Sequence, residues 1–369
     1  MHNAQLMKEA SFPSLLKMGF DLEVILGTVL NMNLGEDSYD IIVERGALGK
    51  ASEYLKLDRK VLILTDSGVP EEYSRTVADM CKTPYIYTIE QGEASKSFES
   101  FKAILEVMCE KEFTRTDCVV AVGGGVCGDL AGFCAACYMR GIDFYNIPTT
   151  VLSQVDSSIG GKTAVDFGGY KNIVGAFHQP KKVIIDNNVL LTLPERRIAD
   201  GLSESLKMAA TYDKELFELF ENSTKEEIFG EKIDEIIIGS LKIKKDVVEK
   251  DEKETGLRRI LNFGHTVAHA LESCEDFDGY FHGECVAIGM LPMCEGEVRE
   301  RIRTQLCKMG LPTKPFGDSE KVLSAIAHDK KLSGSTLSAV YVPKIGEYEI
   351  RKVQLCEYRK ELSEYFENC

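Results

Sequence analysis

Short aliphatic runs alternate with amphipathic stretches through the first half of the chain, and this alternation restricts the possible folds more than any other feature. The helical patterns at 71–82 and 98–112 separate runs that are typical of buried strands, at residues 41–43, 61–65, 119–122 and 183–186. Strands that alternate with helices build parallel sheets. The pattern predicts an α/β N-terminal domain with a mainly parallel, Rossmann-like sheet.

After Asp186 the pattern changes, because apolar residues now recur at spacings of three and four. Helical patterns follow at residues 196–212, 214–222, 231–250, 261–275, 283–309 and 320–329, with one late strand candidate at 337–342. A chain of 369 residues exceeds one ordinary domain. We therefore predict an N-terminal extension of uncertain structure at 1–35, the α/β domain at 36–186 and a mainly α-helical C-terminal domain at 187–369.

Three consecutive glycines, Gly123 to Gly125, follow the strand candidate at 119–122 and precede a helical pattern. Glycine lets backbone N–H groups approach a phosphate closely, and a helix N-terminus adds positive potential. The spacing differs from the G-x-G-x-x-G dinucleotide fingerprint, so a tight structural turn fits equally well. Asp66 follows another strand candidate, where nucleotide-binding carboxylates occur, although an aspartate that caps a helix or turn also fits there.

The segment 145–163 is polar and rich in small residues, with Asp156, two serines and two glycines before Lys162. Lys171 and Asn172 follow within ten residues of Lys162. Long loops of this composition usually carry function, so we interpret the segment as a flexible loop that binds a phosphate or carboxylate. A tight turn at Gly160 without any binding role is the alternative.

Half of the six histidines fall within eighteen residues, at His265, His269 and His282. His265 and His269 share one helix face because they are four residues apart. Imidazole is the commonest metal ligand, and a catalytic zinc takes three protein ligands. The cluster favours a metal or catalytic site over core or capping histidines. Glu204, three residues before Lys207, is either a metal carboxylate beside a cation or half of a surface ion pair.

The net charge of the chain restricts the kinds of molecule that the protein can bind. The net charge of −15 makes nucleic acid an unfavourable partner, and no stretch reaches the ~20 apolar residues of a membrane span. An anionic small molecule would need a local cluster of cations. Lys244, Glu254, Arg258 and Asn262 precede His265 closely enough in sequence to supply such a cluster, although a run of lysines is otherwise a solvated helix face.

Taken together, six segments resemble the 3-dehydroquinate synthase family over residues 40–350. They are residues 123–129, 138–141, 148–162, 256–258, 261–269 and 282–290. The resemblance implies a shikimate-pathway lyase, usually a homodimer, that uses NAD and a divalent metal, Zn²⁺ or Co²⁺. Such an enzyme converts a seven-carbon ketosugar acid phosphate into 3-dehydroquinate through transient oxidation, phosphate elimination, re-reduction and intramolecular aldol closure.

The resemblance also implies roles for individual residues. The implied metal ligands are Glu204, His265 and His282, and the implied proton-transfer residues are Glu254 and His269. The implied substrate residues are Arg140, Asp156, Lys162, Asn172, Lys244, Arg258, Asn262 and Lys330. The implied NAD residues are Asp66, Glu93, Lys96, Gly124, Gly125, Val126, Asp129, Thr149, Thr150, Lys162, Lys171 and Thr192.

Two departures from the family pattern stand out. Gly68 occupies a position at or near which asparagine is common, and the stretch 200–203 reads Asp-Gly-Leu-Ser where Asn-Gly-x-Ala is usual. The first departure concerns the adenosine contact, and neither concerns the metal ligands. Three alternatives remain open: another sugar phosphate cyclase such as a 2-deoxy-scyllo-inosose synthase, a metal-dependent alcohol dehydrogenase, and an inactive NAD- or metal-sensing protein. We expect a cytoplasmic enzyme with no nucleic-acid or membrane partner.

Overall fold

The computed structural model describes residues 27–274, 279–315, 319–326 and 336–367. The chain divides into two compact units, Met1–Leu193 and Pro194–Cys369. The first unit ends at Leu193 rather than near residue 187, because the 3-10 helix Asn187–Thr192 remains bonded to it. The hydroxyl of Tyr73, in the first unit, donates to the carbonyl of Val189 in that 3-10 helix at 3.4 Å.

The first unit is a seven-stranded sheet with helices. Its strands, and those of a separate hairpin, are β1 (Thr28–Met32), β2 (Tyr39–Val43), β3 (Lys60–Asp66), β4 (Thr83–Ile89), β5 (Cys118–Gly123), β6 (Asp143–Pro148), β7 (Lys162–Phe167), β8 (Tyr170–Phe177) and β9 (Lys182–Ile185). Its helices are α1 (Ala51–Tyr54), α2 (Glu71–Asp79), α3 (Phe98–Glu110) and α4 (Gly125–Cys137).

The sheet has the order β1-β2-β9-β6-β5-β3-β4, and every pair is parallel except β1 with β2. The mainly parallel sheet is therefore confirmed. All six residues of β5 are buried, as expected for a strand with both faces covered. The four predicted strands of this unit coincide with parts of β2, β3, β5 and β9.

The N-terminal extension was predicted at 1–35, but β1 already belongs to the sheet. Thr28 lies opposite Val43 and Met32 opposite Tyr39 in an antiparallel ladder with β2. The alternating burial of β1 gives a weak sequence signal, which explains why the strand was missed. Residues 1–26 lie outside the described residues.

The prediction of a flexible loop at 145–163 is wrong. The segment contains β6, a single π-helical turn (Ser153–Ser157) and the start of β7, and both Ser153 and Gln154 are fully buried. The Nε2 of Gln154 donates to the carbonyls of Pro148 at 3.2 Å and Asp186 at 3.3 Å. These two bonds hold the Nε2 of Gln154 inside the unit, whereas the side-chain oxygens of Ser153 and Gln154 are buried without a hydrogen-bond partner among the described residues.

Strands β7 and β8 form an antiparallel hairpin apart from the main sheet. Val165 of β7 is buried and belongs to the core that covers α4. The hairpin carries Lys162, Lys171 and Asn172, three residues that the family resemblance implies bind cofactor or substrate.

The second unit is mainly helical, as predicted. Its helices are α5 (Glu195–Tyr212), α6 (Lys214–Asn222), α7 (Lys225–Phe229), α8 (Ile233–Lys250), α9 (His265–Glu272), α10 (His282–Met290), α11 (Gly296–Met309), α12 (Ser319–Ile326) and α13 (Leu355–Glu367). A hairpin of β10 (Thr336–Lys344) and β11 (Glu347–Gln354) includes the late strand candidate.

The single helical pattern predicted at 283–309 is divided into two helices. Pro292 lies in a 3-10 turn (Leu291–Met293) after α10, and Gly296 begins α11 with a φ of +54°. Proline removes a helical N–H donor, so the break follows from the sequence itself. Among the described residues, no helix combines the length and apolar character that crossing a membrane requires.

Candidate active site residues in each unit

The carboxyl ends of β3 and β5 form the candidate nucleotide site of the first unit. The chain passes from β3 outward to β4 and then returns to the other side of β3 as β5. Ligands of open α/β sheets bind at such a reversal of strand order. Asp66 ends β3 and Gly123 ends β5, so the two segments that the sequence singled out lie side by side at this edge.

The glycine turn gives the start of α4 an uncrowded backbone. Gly124 is the N-cap of α4, and a Cβ added there would lie 3.3 Å from the Cγ2 of Thr150. A Cβ on Gly125 would lie 3.1 Å from the Oγ of Ser157. The amide of Thr149 donates to the carbonyl of Gly123 at 3.0 Å, which links the end of β6 to the turn. Glycine at these two half-buried positions therefore lets the first turn of α4, with its unpaired N–H groups, pack against Thr150 and Ser157 without crowding.

The Asp66 carboxylate is held from two directions. Its Oδ1 accepts a hydrogen bond from the amide of Gly68 at 2.8 Å. Its Oδ2 accepts one from the Sγ of Cys127, at 3.3 Å, on the first turn of α4. The carboxylate is thus oriented at the reversal point by its own turn and by the helix that follows the glycines.

A buried lysine connects several residues implied in NAD and substrate binding. Lys96 is 5% exposed, and its Nζ pairs with Asp129 on α4 at 2.5 Å and contacts the Oδ1 of Asn172 on β8. Glu93 is more distant, with its carboxylate 3.9 Å from the same Nζ. The backbone N–H of Asn172, a residue with a φ of +53°, donates to the Oδ1 of Asp166 at 2.7 Å. One cation therefore joins the helix after the glycine turn to the β7–β8 hairpin.

The remaining implied residues of the first unit occupy turns and strand ends. Arg140 is exposed and has a φ of +68° in the turn after α4, and Asp156 lies in the π-helical turn. Lys162 and Lys171 are exposed on the hairpin. Thr192 ends the 3-10 helix, with its hydroxyl 3.3 Å from that of Tyr73. Val126 follows Gly125 in the first turn of α4.

In the second unit, Glu204, His265 and His282 come together as a candidate metal centre. One ligand atom from each residue lies within 4.8 Å of the others. The Nε2 atoms of His265 and His282 are 3.7 Å and 3.4 Å from the Oε1 of Glu204. Glu204 is fully buried in the middle of α5, while the histidines are the first residues of α9 and α10. The cluster joins three helices, which sequence spacing alone does not reveal.

Glycines allow these helices to approach each other. A Cβ on Gly289 of α10 would lie 2.1 Å from the carbonyl oxygen of Gly264, immediately before His265. A Cβ on Gly283 would lie 1.9 Å from the carbonyl oxygen of Asp200 on α5, and the amide of Gly283 donates to the Asp200 side chain at 2.6 Å. Any larger residue at either position would separate helices that carry the candidate ligands.

Hydrogen bonds at Nδ1 orient both imidazoles. The Nδ1 of His265 lies 3.2 Å from the carbonyl of Phe263, and the Nδ1 of His282 lies 2.8 Å from the Oε1 of Glu272. An acceptor at Nδ1 takes the proton of that nitrogen, so Nε2 is the ring nitrogen that faces Glu204 and that can bind a metal when the ring is neutral. Burial alone would lower the pKa of His282, but hydrogen bonds to Glu204 and Glu272 raise that pKa to about 10. The surroundings of this ring thus favour positive charge.

Lys207 is a second buried cation at the cluster. It lies one turn after Glu204 on α5, is 1% exposed, and its Nζ donates to the Oε2 of Glu204 and to the carbonyl of Leu261. The sequence showed the spacing of Glu204 and Lys207 but gave no role to the lysine, and it missed Glu272. Glu272 falls seven residues after His265, two helical turns along the same face of α9, which is a signal that could have identified it.

Three of the other implied residues of the second unit, Glu254, Arg258 and Asn262, lie in the segment before α9. The Oε1 of Glu254 accepts a hydrogen bond from the Nδ2 of Asn262 at 2.6 Å, and Glu254 has a φ of +59°. Arg258 is 2% exposed, and its Nη1 donates to the carbonyl of Glu252 at 2.6 Å. The ring of His269 is 5.5 Å from that of His265. Lys244 is buried on α8, and Lys330 lies outside the described residues.

Comparison with known proteins covers both units. The model of the 3-dehydroquinate synthase N-terminal family matches residues 86–200, and that of the C-terminal family matches residues 201–332. A 3-dehydroquinate synthase of Enterococcus faecalis is 40% identical over 348 residues, which span 89% of this chain and 97% of the relative. That of Clostridium beijerinckii is 41% identical over 343 residues, spanning 88% and 98%.

Solved structures with the same fold include two sugar phosphate cyclases. A 2-deoxy-scyllo-inosose synthase complexed with carbaglucose-6-phosphate, NAD⁺ and Co²⁺ aligns with a TM-score of 0.83 at 23% identity, covering 91% of this chain and 100% of that one. A 2-epi-5-epi-valiolone synthase of Streptomyces hygroscopicus with NAD⁺ and Zn²⁺ bound aligns at 0.81 and 26% identity, covering 91% and 99%. Sequence identity near 40% over nearly full length, together with both family models, shows that the chain belongs to the 3-dehydroquinate synthase family.

Proposed function

We propose that the protein is a 3-dehydroquinate synthase, a lyase that converts 3-deoxy-D-arabino-heptulosonate 7-phosphate into 3-dehydroquinate and phosphate. The observation that carries the proposal is the Glu204–His265–His282 cluster in a chain of this family. The reaction belongs to the shikimate pathway, which leads to chorismate and the aromatic amino acids. A homodimeric state and a cytoplasmic location remain predictions.

The cluster suits a divalent metal by the chemistry of its donors. One carboxylate and two imidazoles, with an open position left for substrate, are a typical catalytic zinc set. Both imidazoles have acceptors at Nδ1, and one of these acceptors is the carboxylate of Glu272. Such outer partners tune and orient metal-binding histidines. We assign Glu204, His265 and His282 as the ligands of Zn²⁺ or Co²⁺.

The glycine turn suits the pyrophosphate of NAD. Side chains at Gly124 and Gly125 would crowd Thr150 and Ser157 beside the first turn of α4, where backbone N–H groups can bind phosphate oxygens. Asp66 lies at the end of the neighbouring strand, where a carboxylate can bind a ribose hydroxyl. We assign this edge to the cofactor, together with Lys96, the carboxylates of Glu93 and Asp129 that pair with it, and the hairpin lysines Lys162 and Lys171.

When bound, NAD would supply a reversible hydride acceptor, and a metal held by the cluster would polarise the oxygen of the alcohol whose carbon is oxidised and later reduced. The chain must hold an anionic substrate in a protein of net charge −15. We assign that task to Arg140, Lys162, Lys244, Arg258 and Lys330, supported by the polar side chains of Asp156, Asn172 and Asn262. Charge-assisted hydrogen bonds to such cations are stronger than neutral ones. Proton transfer is assigned to the carboxylate of Glu254 and the imidazole of His269.

Two alternative activities are less well supported. A 2-deoxy-scyllo-inosose synthase shares the fold, but that structural neighbour is 23% identical, whereas the 3-dehydroquinate synthases approach 40%. An alcohol dehydrogenase would release reduced cofactor and would need no cations for phosphate. The retention of Arg140, Lys244 and Arg258 favours a phosphorylated acid as substrate.

An assay with the ketosugar acid phosphate and substoichiometric NAD tests the proposal. We expect many equivalents of phosphate and of 3-dehydroquinate for each NAD, with no net NADH in solution. Glucose 6-phosphate in a parallel reaction is the control for an inosose synthase. Stoichiometric NADH, or turnover of the control sugar alone, would contradict the proposal.

A further inference from the structure

The segment that joins α8 to α9 depends on one carboxylate to which no role has been given. Asp251 follows the last residue of α8, and its Oδ1 accepts hydrogen bonds from the amide of Thr255 at 2.8 Å and its hydroxyl at 3.1 Å. Its Oδ2 accepts hydrogen bonds from the amides of Gly256 at 2.7 Å and Arg258 at 3.0 Å. Four donors from the following segment therefore converge on a single side chain.

The segment fixed in this way has a conformation that its residues do not favour by themselves. Glu254 has a φ of +59°, in the left-handed region that costs energy for residues other than glycine. The backbone then turns at Gly256 into the 3-10 helix Leu257–Asn262, which begins with Arg258 as its second residue. Asp251 binds the amides on both sides of Gly256, so it stabilises the turn after Glu254 and the start of that helix.

Both assigned residues of the segment make contacts that depend on this backbone. Glu254 reaches Asn262 at 2.6 Å, and Arg258 reaches the carbonyl of Glu252 at 2.6 Å. Backbone hydrogen bonds from the amides of Arg258, Gly256 and Thr255 lower the pKa of Asp251 to about 2, and they outweigh the opposing effect of burial. The carboxylate therefore stays ionised, and an ionised acceptor binds N–H groups more strongly than a neutral one.

We propose that Asp251 is a positioning residue: its carboxylate holds residues 252–258 in the one conformation that presents Glu254 and Arg258 to the substrate. The proposal rests on the proposed function, since those two residues are assigned to proton transfer and substrate binding there. Asp251 itself does not touch the reacting atoms. It acts through the backbone, and its loss displaces two assigned side chains together.

Replacement of Asp251 tests the proposal by kinetics. We expect Asp251→Ala to lower kcat/KM about 10- to 100-fold, the effect of displacing a reacting group by about 1 Å. We expect both a lower kcat and a higher KM, because one displaced residue transfers protons and the other binds substrate. Asp251→Asn keeps one acceptor oxygen but turns an amino group toward backbone donors, so it should lie between the wild type and Asp251→Ala.

The matched control is Asp246→Asn on the same helix. The carboxylate of Asp246 pairs with Lys250 at 2.7 Å and with the hydroxyl of Tyr212, outside the 252–258 segment. This variant should retain kcat/KM within about twofold, as expected of surface substitutions. Metal content and NAD affinity should be unchanged in all variants.

A double-mutant cycle separates positioning from general destabilisation. If Asp251 acts on proton transfer through Glu254, then Asp251→Ala combined with Glu254→Gln should have nearly the kcat of Glu254→Gln alone, while the rise in KM that passes through Arg258 should persist. Effects on kcat that multiply fully, or an Asp251→Ala enzyme with near-normal kcat/KM, would overturn the proposal.

Amide hydrogen exchange gives a readout that does not depend on activity. Asp251→Ala should accelerate exchange in a peptide that spans residues 252–258, and Asp246→Asn should not. Unchanged exchange in Asp251→Ala would overturn the proposal even for an active enzyme. A wild-type protein that fails to release phosphate would instead overturn the proposed function, and the exchange data would still decide whether Asp251 orders the segment.

Discussion

The glycine turn of the first unit and the Glu204–His265–His282 cluster of the second unit are built from different parts of the chain. The turn depends on the lack of side chains at Gly124 and Gly125, because a Cβ there would crowd Thr150 and Ser157. The cluster depends on three side chains that close helix packing brings together. A backbone site should tolerate change in neighbouring side chains, whereas the cluster should fail when any one of its groups is lost. Each of the following substitutions tests that contrast.

The largest effect is expected from loss of an imidazole of the candidate metal centre. His265→Ala and His282→Ala should each lose bound metal and lower kcat/KM about 1,000-fold or more, which corresponds to about 4 kcal/mol. The fold should survive because a catalytic metal need not hold the core together. Metal analysis and activity assays measure the two effects, and full metal occupancy in both variants would contradict the ligand assignment.

Glu204→Ala should differ from the histidine variants in stability. Glu204 and Lys207 are 0% and 1% exposed, so the variant leaves a buried ammonium group without its carboxylate. Breaking such a buried pair costs about 3–5 kcal/mol of unfolding free energy. Denaturant titration of metal-free protein measures this cost, and Glu204→Ala/Lys207→Met should recover most of it. A Glu204→Ala protein as stable as His265→Ala would show that the pair contributes little.

Glu272→Gln tests whether the acceptor at the Nδ1 of His282 matters. The substitution keeps an oxygen but removes the charge that makes the imidazole more basic, so metal affinity should fall about 10- to 100-fold. Competition with a chelator measures the affinity. Equal metal affinity in the variant and the wild type would show that Glu272 does not contribute to metal binding.

The smallest effect is expected at the glycine turn. Gly125→Ala places a Cβ 3.1 Å from the Oγ of Ser157, a tight contact that the neighbouring side chain can relieve. The protein should fold, but the dissociation constant for NAD should rise about 10-fold, or 1.4 kcal/mol. Titration calorimetry measures this constant. Metal content should remain at the wild-type value, so a variant that also lost metal would show that the two sites are coupled.

Strands β2, β3, β5 and β9 could be predicted because they are almost continuously buried and therefore read as aliphatic runs. The same signal is absent from β1 and β4, whose burial alternates, and from the segment 145–163, which buries polar side chains such as Ser153 and Gln154. Hydrophobicity patterns cannot reveal a buried glutamine whose Nε2 is bonded to two carbonyls. These elements were missed for that reason.

The spacing of residues in the sequence predicted only part of the candidate metal centre. His265 and His269 share a helix face by spacing alone, but the cluster pairs His265 with His282 and Glu204 instead. That choice depends on the close packing at Gly264, Gly283 and Gly289, which is a tertiary property. The family resemblance supplied the ligand set, whereas Lys207, Glu272 and Asp251 became apparent only from their contacts.

The contact between Lys207 and Glu204 has an electrostatic consequence for a protein of net charge −15. The lysine neutralises the formal charge of the glutamate, so of the three side chains Glu204, Lys207 and Glu272 it is the charge of Glu272 that remains to offset a dication at the cluster. A site with two ligand-shell carboxylates and no lysine would be neutral after metal binding. This one would remain cationic, and it would create a local region of positive potential where a substrate with both phosphate and carboxylate groups could approach against the field of the whole molecule.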